Sequence, residues 1–256
     1  MNHTAEFDHI APVYDETRRP PSDVELQALR ELLADCRTVL DAGIGTGRFA
    51  VPLKSHHFDV VGVDLSMGMM ALARAKGIDA LVRADLRHLP FGDRTVDATF
   101  MAHVLQLIPE PQAVLREIAR VARRVVVILL PEWSERAPGG DWRKLRERYR
   151  ELAAELGYPL PERGKRYRHT LEELSAIAPP KQVRVVEGPA ASASDLGERL
   201  ARWEERGACG NQIPPEVHAQ IVQRLQAEST IDPSRWTRPR FERFVVWDAV
   251  DLIQAL

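Results

Sequence analysis

The chain has 256 residues, of which 45% are hydrophobic and 28% are charged, and its formal net charge is -2. This length and composition predict one large globular domain with a sizeable core, and the near-neutral charge argues against nucleic acid or an anionic membrane surface as a partner. The longest apolar run, Val125 to Leu130, is far too short to cross a bilayer, and the polar N-terminus is not a secretory signal. Cys36 and Cys209 lie outside any metal-ligand spacing, and His56, His57 and His218 have no third ligand near them, so we expect a cytoplasmic protein with no metal site.

The first half of the chain alternates short apolar stretches with helical patterns. Ser22 and Glu25 form a capping box that begins a helix predicted over about 22–34. Buried strands are predicted at 38–40, 60–63, 79–83, 96–101 and 125–130. Helices are predicted from about Gly47, from Ser66 to about 76, and over 113–122. This alternation predicts βαβ units and a parallel sheet with helices on both faces.

After Leu130 the pattern becomes mainly helical. Apolar residues share a helical face from Trp142 to Leu156, a basic loop follows at 163–168, and further helices are predicted over 196–206 and 215–228. Two more strands, 183–187 and 244–247, complete the sheet only near the C-terminus. The predicted fold class is α/β, a Rossmann-like, doubly wound, seven-stranded and mostly parallel sheet with helical insertions.

A glycine-rich turn follows the first strand, in the segment VLDAGIGTGRF at 39–49. A phosphate-binding P-loop would require Gly-Lys-Ser/Thr after the turn, but Arg48 follows Gly47, so this interpretation fails. The G-x-G-x-G spacing of Gly43, Gly45 and Gly47 leaves a dinucleotide fingerprint open, because Ala50 stands where a third small residue is allowed.

Two acidic residues narrow the choice of ligand. Asp41 precedes Gly43 by two residues, where its charge would repel a pyrophosphate and would suit a ligand that carries an ammonium group. Asp64 ends the second strand, where a carboxylate can accept hydrogen bonds from both hydroxyls of a ribose. The two acids together predict a ligand with a ribose, a positive centre and no pyrophosphate.

These segments resemble the motifs of the class I S-adenosylmethionine-dependent methyltransferases. VLDAGIGTGRF resembles the first motif, VVGVDLSMGMM the second, ALVRADLRHLPF the third, and VDATFMAHVLQLIPEP with VLREIARV the fourth. The resemblance covers about residues 7–131, and FDHIAPVYDETRRP resembles the segment that covers the cofactor in many members. Gln106 stands where members often have histidine, and Gly68 lies in a helix that usually lacks glycine.

The resemblance implies the cofactor S-adenosyl-L-methionine and a role for each matching residue. Gly43 and Gly45 would admit the methionine moiety, with Asp41 near its ammonium group. The Ala102 carbonyl would accept a hydrogen bond from the same ammonium, and Tyr14 would fold over the carboxylate.

At the other end of the cofactor the resemblance implies contacts to the nucleoside. Asp64 would bind the ribose, and Leu65 and Met69 would sandwich the adenine ring. The Asp85 carboxylate would accept a hydrogen bond from the adenine amino group, while the Leu86 amide would donate to a ring nitrogen.

The resemblance also implies the activity, which is transfer of a methyl group by direct in-line displacement to a small-molecule acceptor. His103 lies just past the fourth strand and is the candidate general base, although a packed, hydrogen-bonded histidine is the alternative. A base is needed only where the acceptor must lose a proton. Aromatic residues are candidate walls for the acceptor, namely Tyr14, Trp133, Trp142, Tyr149 and Tyr167.

A single methyltransferase domain is expected over 1–256. It would include an N-terminal cofactor-covering segment at 1–22 and helical substrate-lid insertions at 131–182 and 188–240. Two alternatives stay open on the sequence alone, an NAD(P)-dependent oxidoreductase and a non-catalytic cofactor-binding regulatory protein. Neither the accepting atom nor the oligomeric state follows from the sequence.

Overall fold

The computed structural model describes residues 3–15, 18, 20–131, 139–160, 167, 169–188, 213–228 and 240–256. Seven strands form one sheet in the order β3-β2-β1-β4-β5-β7-β6. Their bounds are β1 Thr38–Ala42, β2 Asp59–Asp64, β3 Leu81–Arg83, β4 Val96–Ala102, β5 Ala122–Pro131, β6 Gln182–Gly188 and β7 Arg240–Asp248. Only β7 runs antiparallel to its neighbours, so the predicted seven-stranded, mostly parallel sheet is confirmed.

The helices of the described residues lie between these strands and at both ends of the chain. They are α1 His3–Tyr14, α2 Asp23–Leu32, α3 Ala50–Ser55, α4 Met67–Ala75, α5 Gln112–Val121, α6 Gly139–Glu155, α7 Leu171–Ile177, α8 Pro215–Glu228 and α9 Ala249–Ala255. A short 3₁₀ turn, Leu105–Leu107, follows β4. The capping box of Ser22 and Glu25 begins α2, and the Ser66 hydroxyl caps α4, as predicted.

Both faces of the sheet are covered. The alternating residues Val39 and Leu40 of β1 are fully buried in two different cores. One core contains side chains of α5, α7 and α9, and the other contains side chains of α2, α3 and α4. A parallel strand that is buried on both faces has an apolar residue at every position, which explains the continuous apolar run in β5.

Three helices were not predicted from the sequence. These are α1, α7 and α9, of which α7 and α9 have seven residues each and α1 contains Pro12. Short or proline-containing segments depend largely on packing against the body of the protein, although α7 does begin with a capping box of Thr170 and Glu173 that the sequence could have revealed. The helix predicted from Gly47 begins instead at Ala50, because Gly47 adopts a φ of +80° that an α-helix does not allow.

The segment after β5 contains a third, smaller apolar cluster that is separate from the two cores of the sheet. The helices α6 and α8 pack on each other through an apolar cluster that includes Tyr149, Leu152, Ile221 and Leu225. The helix predicted at 196–206, Trp133, Cys209 and all of the basic loop except Tyr167 lie outside the described residues. The division into cofactor-covering segment and lids stays a prediction. None of the described helices combines the length and the apolar character that a membrane crossing needs.

The sheet order brings several loops to one place. β1 and β4 are neighbours at the centre of the sheet, while the chain continues from β1 outward through β2 and from β4 outward through β5. The loops that follow β1 and β4 therefore diverge and leave a crevice at the carboxyl ends of these strands. This crevice is where a ligand would bind in an open α/β sheet.

Candidate active site

A cavity of about 460 Å³ occupies the crevice at the carboxyl ends of β1, β2 and β4. Every predicted site residue except Asp41 lines it, namely Tyr14, Gly43, Gly45, Asp64, Leu65, Met69, Asp85, Leu86, Ala102 and His103. The remaining wall residues were not predicted from the sequence, and they include Phe7, Ser66, Val104, Leu107 and Ile108. All of these residues lie within the sequence motifs quoted above. Their position in those motifs was therefore the signal that could have identified them.

The glycine turn after β1 forms one side of the cavity. Gly43 and Gly45 have φ angles of +83° and +54°. The amides of Gly43 and Ile44 donate to the Val63 carbonyl at 2.8 and 3.0 Å, which fastens the turn to β2. A Cβ atom on Gly43 would lie 2.3 Å from the Val104 side chain, so only glycine lets the turn approach the loop after β4 this closely.

Asp64 joins the glycine turn to the start of α4. Its two carboxylate oxygens accept hydrogen bonds from the amides of Gly45 and Ser66 at 2.8 and 2.9 Å. Burial raises the pKa of Asp64, and backbone hydrogen bonds from Ser66, Gly45 and Leu65 oppose that rise. Since a carboxylate offers about four acceptor positions, the group retains capacity for further donors at the cavity wall.

Asp41 does not lie on the cavity wall. Its side chain is only 3% exposed, near the end of β1. Burial raises the pKa of Asp41 to about 7, the charge of Asp64 adds to the rise, and Arg48 opposes it. Asp41 is therefore buried near Asp64 and away from the cavity surface, and its influence on a cation in the cavity would act through charge at a distance.

The loop after β3 forms another wall of the cavity. The Arg87 guanidinium donates to both oxygens of the Asp85 carboxylate, at 3.0 Å to Oδ1 and 2.5 Å to Oδ2, and this contact lowers the pKa of Asp85. Asp85 thus makes a surface ion pair and also lines the cavity. Leu86 is buried beside it, Met69 is 2% exposed, and Leu65 is 41% exposed. These side chains add apolar surface to the cavity wall.

The helix α1 packs across α4 and brings two aromatic rings to the cavity. Phe7 and Tyr14 line it, with their ring centroids 6.4 Å apart. The Asp8 carboxylate accepts hydrogen bonds from the Ser66 hydroxyl at 2.6 Å and from the Gly68 amide at 2.9 Å, and these bonds lower the pKa of Asp8.

Gly68 has a packing role in this contact. A Cβ atom on Gly68 would lie 3.2 Å from both the Ala11 Cβ and the Asp8 carboxylate. The glycine that weakens α4 therefore permits the close approach of α1. A second contact follows at the end of α1, where Asp15 accepts a hydrogen bond from the Thr46 hydroxyl at 2.5 Å and pairs with Lys76.

His103 lies directly after β4 in an uncommon backbone conformation. Its φ is +57°, and its amide donates to the Leu129 carbonyl at 3.4 Å. A non-glycine residue in this region is strained, and such strain often occurs at functional sites. Next to it, the Gln106 carbonyl accepts from the Tyr167 amide at 2.8 Å, while the buried Gln106 Oε1 has no hydrogen-bond partner within the described residues.

Among the described aromatic residues that were predicted to line an acceptor site, only Tyr14 is found on the cavity wall. Tyr149 is buried between α6 and α8, where its hydroxyl lies 3.0 Å from His218 Nδ1. Tyr167 stacks on His169 beside the loop that follows β4. Trp133 and the side chain of Trp142 fall outside the part of the chain that the structure describes.

Comparisons with known proteins agree with this geometry. Residues 40–130 match the family model of a methyltransferase domain. A demethylmenaquinone methyltransferase of Renibacterium salmoninarum is 31% identical over 51% of this chain and 58% of its own length. A ubiquinone/menaquinone biosynthesis C-methyltransferase of Syntrophotalea carbinolica is 36% identical over 50% of this chain and 60% of its own length. The chain thus spans a little over half the length of these curated relatives.

A solved structure extends the similarity to most of the fold. It is an S-adenosylmethionine-dependent methyltransferase of Thermotoga maritima, described as a possible histamine N-methyltransferase. It is 25% identical, has a TM-score of 0.53, and is aligned over 72% of this chain and 84% of its own length. Together with the sheet order and the glycine turn, these matches show that residues 40–130 are similar to the methyltransferase-domain family and that the chain has the fold of an S-adenosylmethionine-dependent methyltransferase.

Proposed function

We propose that the chain catalyses methyl transfer from S-adenosylmethionine to a small-molecule acceptor. The observation that carries the proposal is the cavity, in which residues from five separate segments meet. These segments are α1, the turn after β1, the junction of β2 and α4, the loop after β3 and the end of β4. Fold alone would not support the activity, because one fold can host many functions.

The residues present fit the cofactor. Gly45 lines the cavity, and a Cβ atom on it would meet no atom within 4 Å, so its backbone is open to a ligand. The Asp64 carboxylate retains acceptor capacity for ribose hydroxyls. Apolar surface from Leu65 and Met69 suits a flat ring, and the Asp85 carboxylate with the Leu86 amide matches the donor and acceptor edge of adenine.

S-adenosylmethionine supplies, when bound, a methyl group that is already electrophilic. The protein's own residues then need to hold the acceptor in line with that methyl group and exclude water. Phe7 and Tyr14 on α1 line the cavity and would help to exclude water. His103, at the end of β4, is the side chain that would take a proton from an acceptor, while an acceptor that is already ionised needs no base.

The acceptor that fits best has an apolar ring. The wall after β4 is largely apolar, with Val104, Leu107, Ile108 and Pro109. The two curated relatives named above are quinone methyltransferases by name, which supports such an acceptor. A cytoplasmic location is part of the same proposal.

Radiolabelled methyl transfer tests the activity. We expect label from S-adenosylmethionine to enter one class within a panel of hydroquinones, phenols, amines and carboxylic acids. The variant Asp64→Asn should bind S-adenosylhomocysteine at least about tenfold more weakly, because one backbone hydrogen bond and one ribose acceptor are lost. Asp59→Asn is the matched control, since Asp59 lies at the opposite end of β2 and pairs with Arg37.

Two results would contradict the proposal. The first is binding of NAD in the absence of any binding of S-adenosylhomocysteine, which would favour an oxidoreductase. The second is cofactor binding with no methyl transfer to any acceptor class, which would favour a regulatory protein.

A further inference from the structure

The loop between β3 and β4 contains the proposed adenine contacts, but it has no regular secondary structure of its own. Residues 84–95 form neither helix nor strand, although Asp85 and Leu86 on this loop line the cavity. A loop of this kind needs other groups to satisfy and fix its backbone. Two charged side chains of α5, Glu117 and Arg120, make those contacts.

Glu117 and Arg120 first bind each other. Arg120 Nε donates to Glu117 Oε1 at 2.7 Å, and Arg120 Nη2 donates to Glu117 Oε2 at 2.8 Å. This bidentate contact is the strongest common geometry for such a pair, and it lowers the pKa of Glu117. The two side chains are 17% and 26% exposed, so each is largely shielded from solvent.

The pair then holds the loop backbone through hydrogen bonds. The Leu89 amide donates to Glu117 Oε2 at 2.7 Å. Arg120 donates to the carbonyls of Leu89 and Phe91 at 3.2 and 2.8 Å, and to the Asp93 carboxylate at 2.8 Å. The planar guanidinium can reach all of these acceptors at once, which the single ammonium of lysine cannot do.

Apolar anchors also hold the same loop. Leu86 and Leu89 are 8% and 5% exposed in the core that contains α5. The chain is thus fixed by Leu89 at a position only three residues after Leu86 and four after Asp85. A change in the path of Leu89 would displace the Asp85 carboxylate and the Leu86 amide relative to the cavity.

We propose that Glu117 and Arg120 are positioning residues for base selection, which hold the loop so that Asp85 and Leu86 select adenine over other purines. This inference rests on the proposed function. Neither side chain lines the cavity, so both would act through the loop and not by contact with the ligand.

The test compares two ligands that differ only in the base. S-adenosylhomocysteine presents an amino group and an unprotonated ring nitrogen, whereas S-inosylhomocysteine presents a carbonyl oxygen and a protonated nitrogen. We expect the wild-type protein to bind the adenine compound about tenfold more tightly, and Arg120→Gln to reduce that ratio to below about threefold. Calorimetry measures both dissociation constants, and the ratio reports selection apart from general stability.

Three further variants complete the design. Glu117→Gln keeps an acceptor for the Leu89 amide but loses the charged pair, and we expect an intermediate ratio. Arg120→Lys keeps the charge and most of the side-chain length, and it replaces Arg120→Gln if that variant does not fold. Arg116→Gln is the matched control on the same helix, because the Arg116 guanidinium donates to the Leu256 carbonyl at the C-terminus and not to the loop, and its ratio should equal that of the wild type.

An unchanged ratio in Arg120→Gln or Arg120→Lys would overturn the inference, as would an equal weakening for both ligands. A wild-type protein that binds neither ligand would instead contradict the proposed function. The two failures are therefore distinguishable.

Discussion

At the scale of single residues, Asp41 shows how burial can set the charge state of a carboxyl group. Its pKa rises to about 7 mainly because its side chain is removed from water, with a further contribution from Asp64. Asp97 has the opposite environment, where the backbone amides of Thr38 and Arg37 donate to it and lower its pKa. The two residues thus affect stability in different pH ranges.

Asp41 should destabilise the protein as the pH rises toward neutrality. Between about pH 4 and pH 7 the folded protein retains a proton on Asp41 that the unfolded chain has released, so this contribution is present below pH 4 and is lost as the pH rises through 7. The free energy of unfolding falls as the pH rises from about 5 to 7. We expect this fall to be smaller in Asp41→Asn than in the wild type by roughly 2 kcal/mol. Urea denaturation at several pH values measures this decrease.

Groups with lowered pKa values do not interfere with that measurement. Asp8 and Asp97 titrate below their ordinary range, so the stability they contribute is lost only at lower pH. Parallel stability curves for Asp41→Asn and the wild type would show that Asp41 is already ionised in the folded protein.

Gly43 offers a test of close packing between the turn after β1 and the loop after β4. Gly43→Ala places a Cβ 2.3 Å from the Val104 side chain at a φ of +83°, so we expect a loss of roughly 2–5 kcal/mol in the free energy of unfolding. Gly77→Ala is the control, because Gly77 has a φ of +91° but a Cβ atom there would meet no atom within 4 Å, and strain alone should lower stability by about 1–2 kcal/mol. Urea denaturation gives both values.

A second substitution separates steric overlap from backbone strain. Adding Val104→Ala to Gly43→Ala removes the atoms that the new Cβ meets, so part of the lost stability should return. Equal losses for Gly43→Ala and Gly77→Ala, with no recovery in the double variant, would rule out the overlap.

At the scale of elements, α1 depends on its contacts with α4 and the glycine turn. Asp8 binds the first turn of α4 through Ser66 and Gly68, and Asp15 binds Thr46. The sequence did not predict α1 as a helix, because Pro12 interrupts its pattern and its stability comes from these tertiary contacts. The capped helices α2 and α4, in contrast, contain their start signals within the sequence.

Loss of the Asp8 contact should free α1 from the cavity. We expect Asp8→Ala to raise the dissociation rate of S-adenosylhomocysteine by about three- to tenfold, because two hydrogen bonds to a charged acceptor are lost. Stopped-flow displacement of the bound ligand measures the rate. His9→Ala, an exposed neighbour on the same helix, should leave it unchanged. The same rate in Asp8→Ala as in the wild type would mean that α1 does not retain the ligand.

At the scale of the whole molecule, the sheet is completed by β7, the last of its strands in the sequence, which lies between β5 and β6. β7 pairs with both β5 and β6, and its residues Phe244, Val245, Val246 and Trp247 are buried. The Trp247 indole also donates to the Ala178 carbonyl at 2.9 Å, which joins β7 to the end of α7. The cavity therefore depends on residues that are remote from it in sequence and do not touch a ligand.

A chain that ends at residue 239 should lack cooperative unfolding. It loses β7 and α9, so β5 and β6 have no partner between them and both cores lose buried side chains. A chain that begins at residue 20 lacks only α1, and we expect it to unfold cooperatively but to bind S-adenosylhomocysteine more weakly. Urea denaturation followed by near-ultraviolet circular dichroism distinguishes the two, and cooperative unfolding of the first would contradict the expectation.

The sequence by itself determined the strands, the glycine turn and the motifs around Asp64 and Asp85, because strand burial, helix caps and turn glycines are local properties of the chain. Only the tertiary structure decided which of these residues meet in a cavity, that Asp41 does not line it, and that Gly68 permits the close approach of α1 to α4. It also showed that Glu117 and Arg120 hold the loop after β3. Such contacts join residues far apart in sequence, and their geometry follows from the strand order and the packing of helices on the sheet, which no local pattern contains.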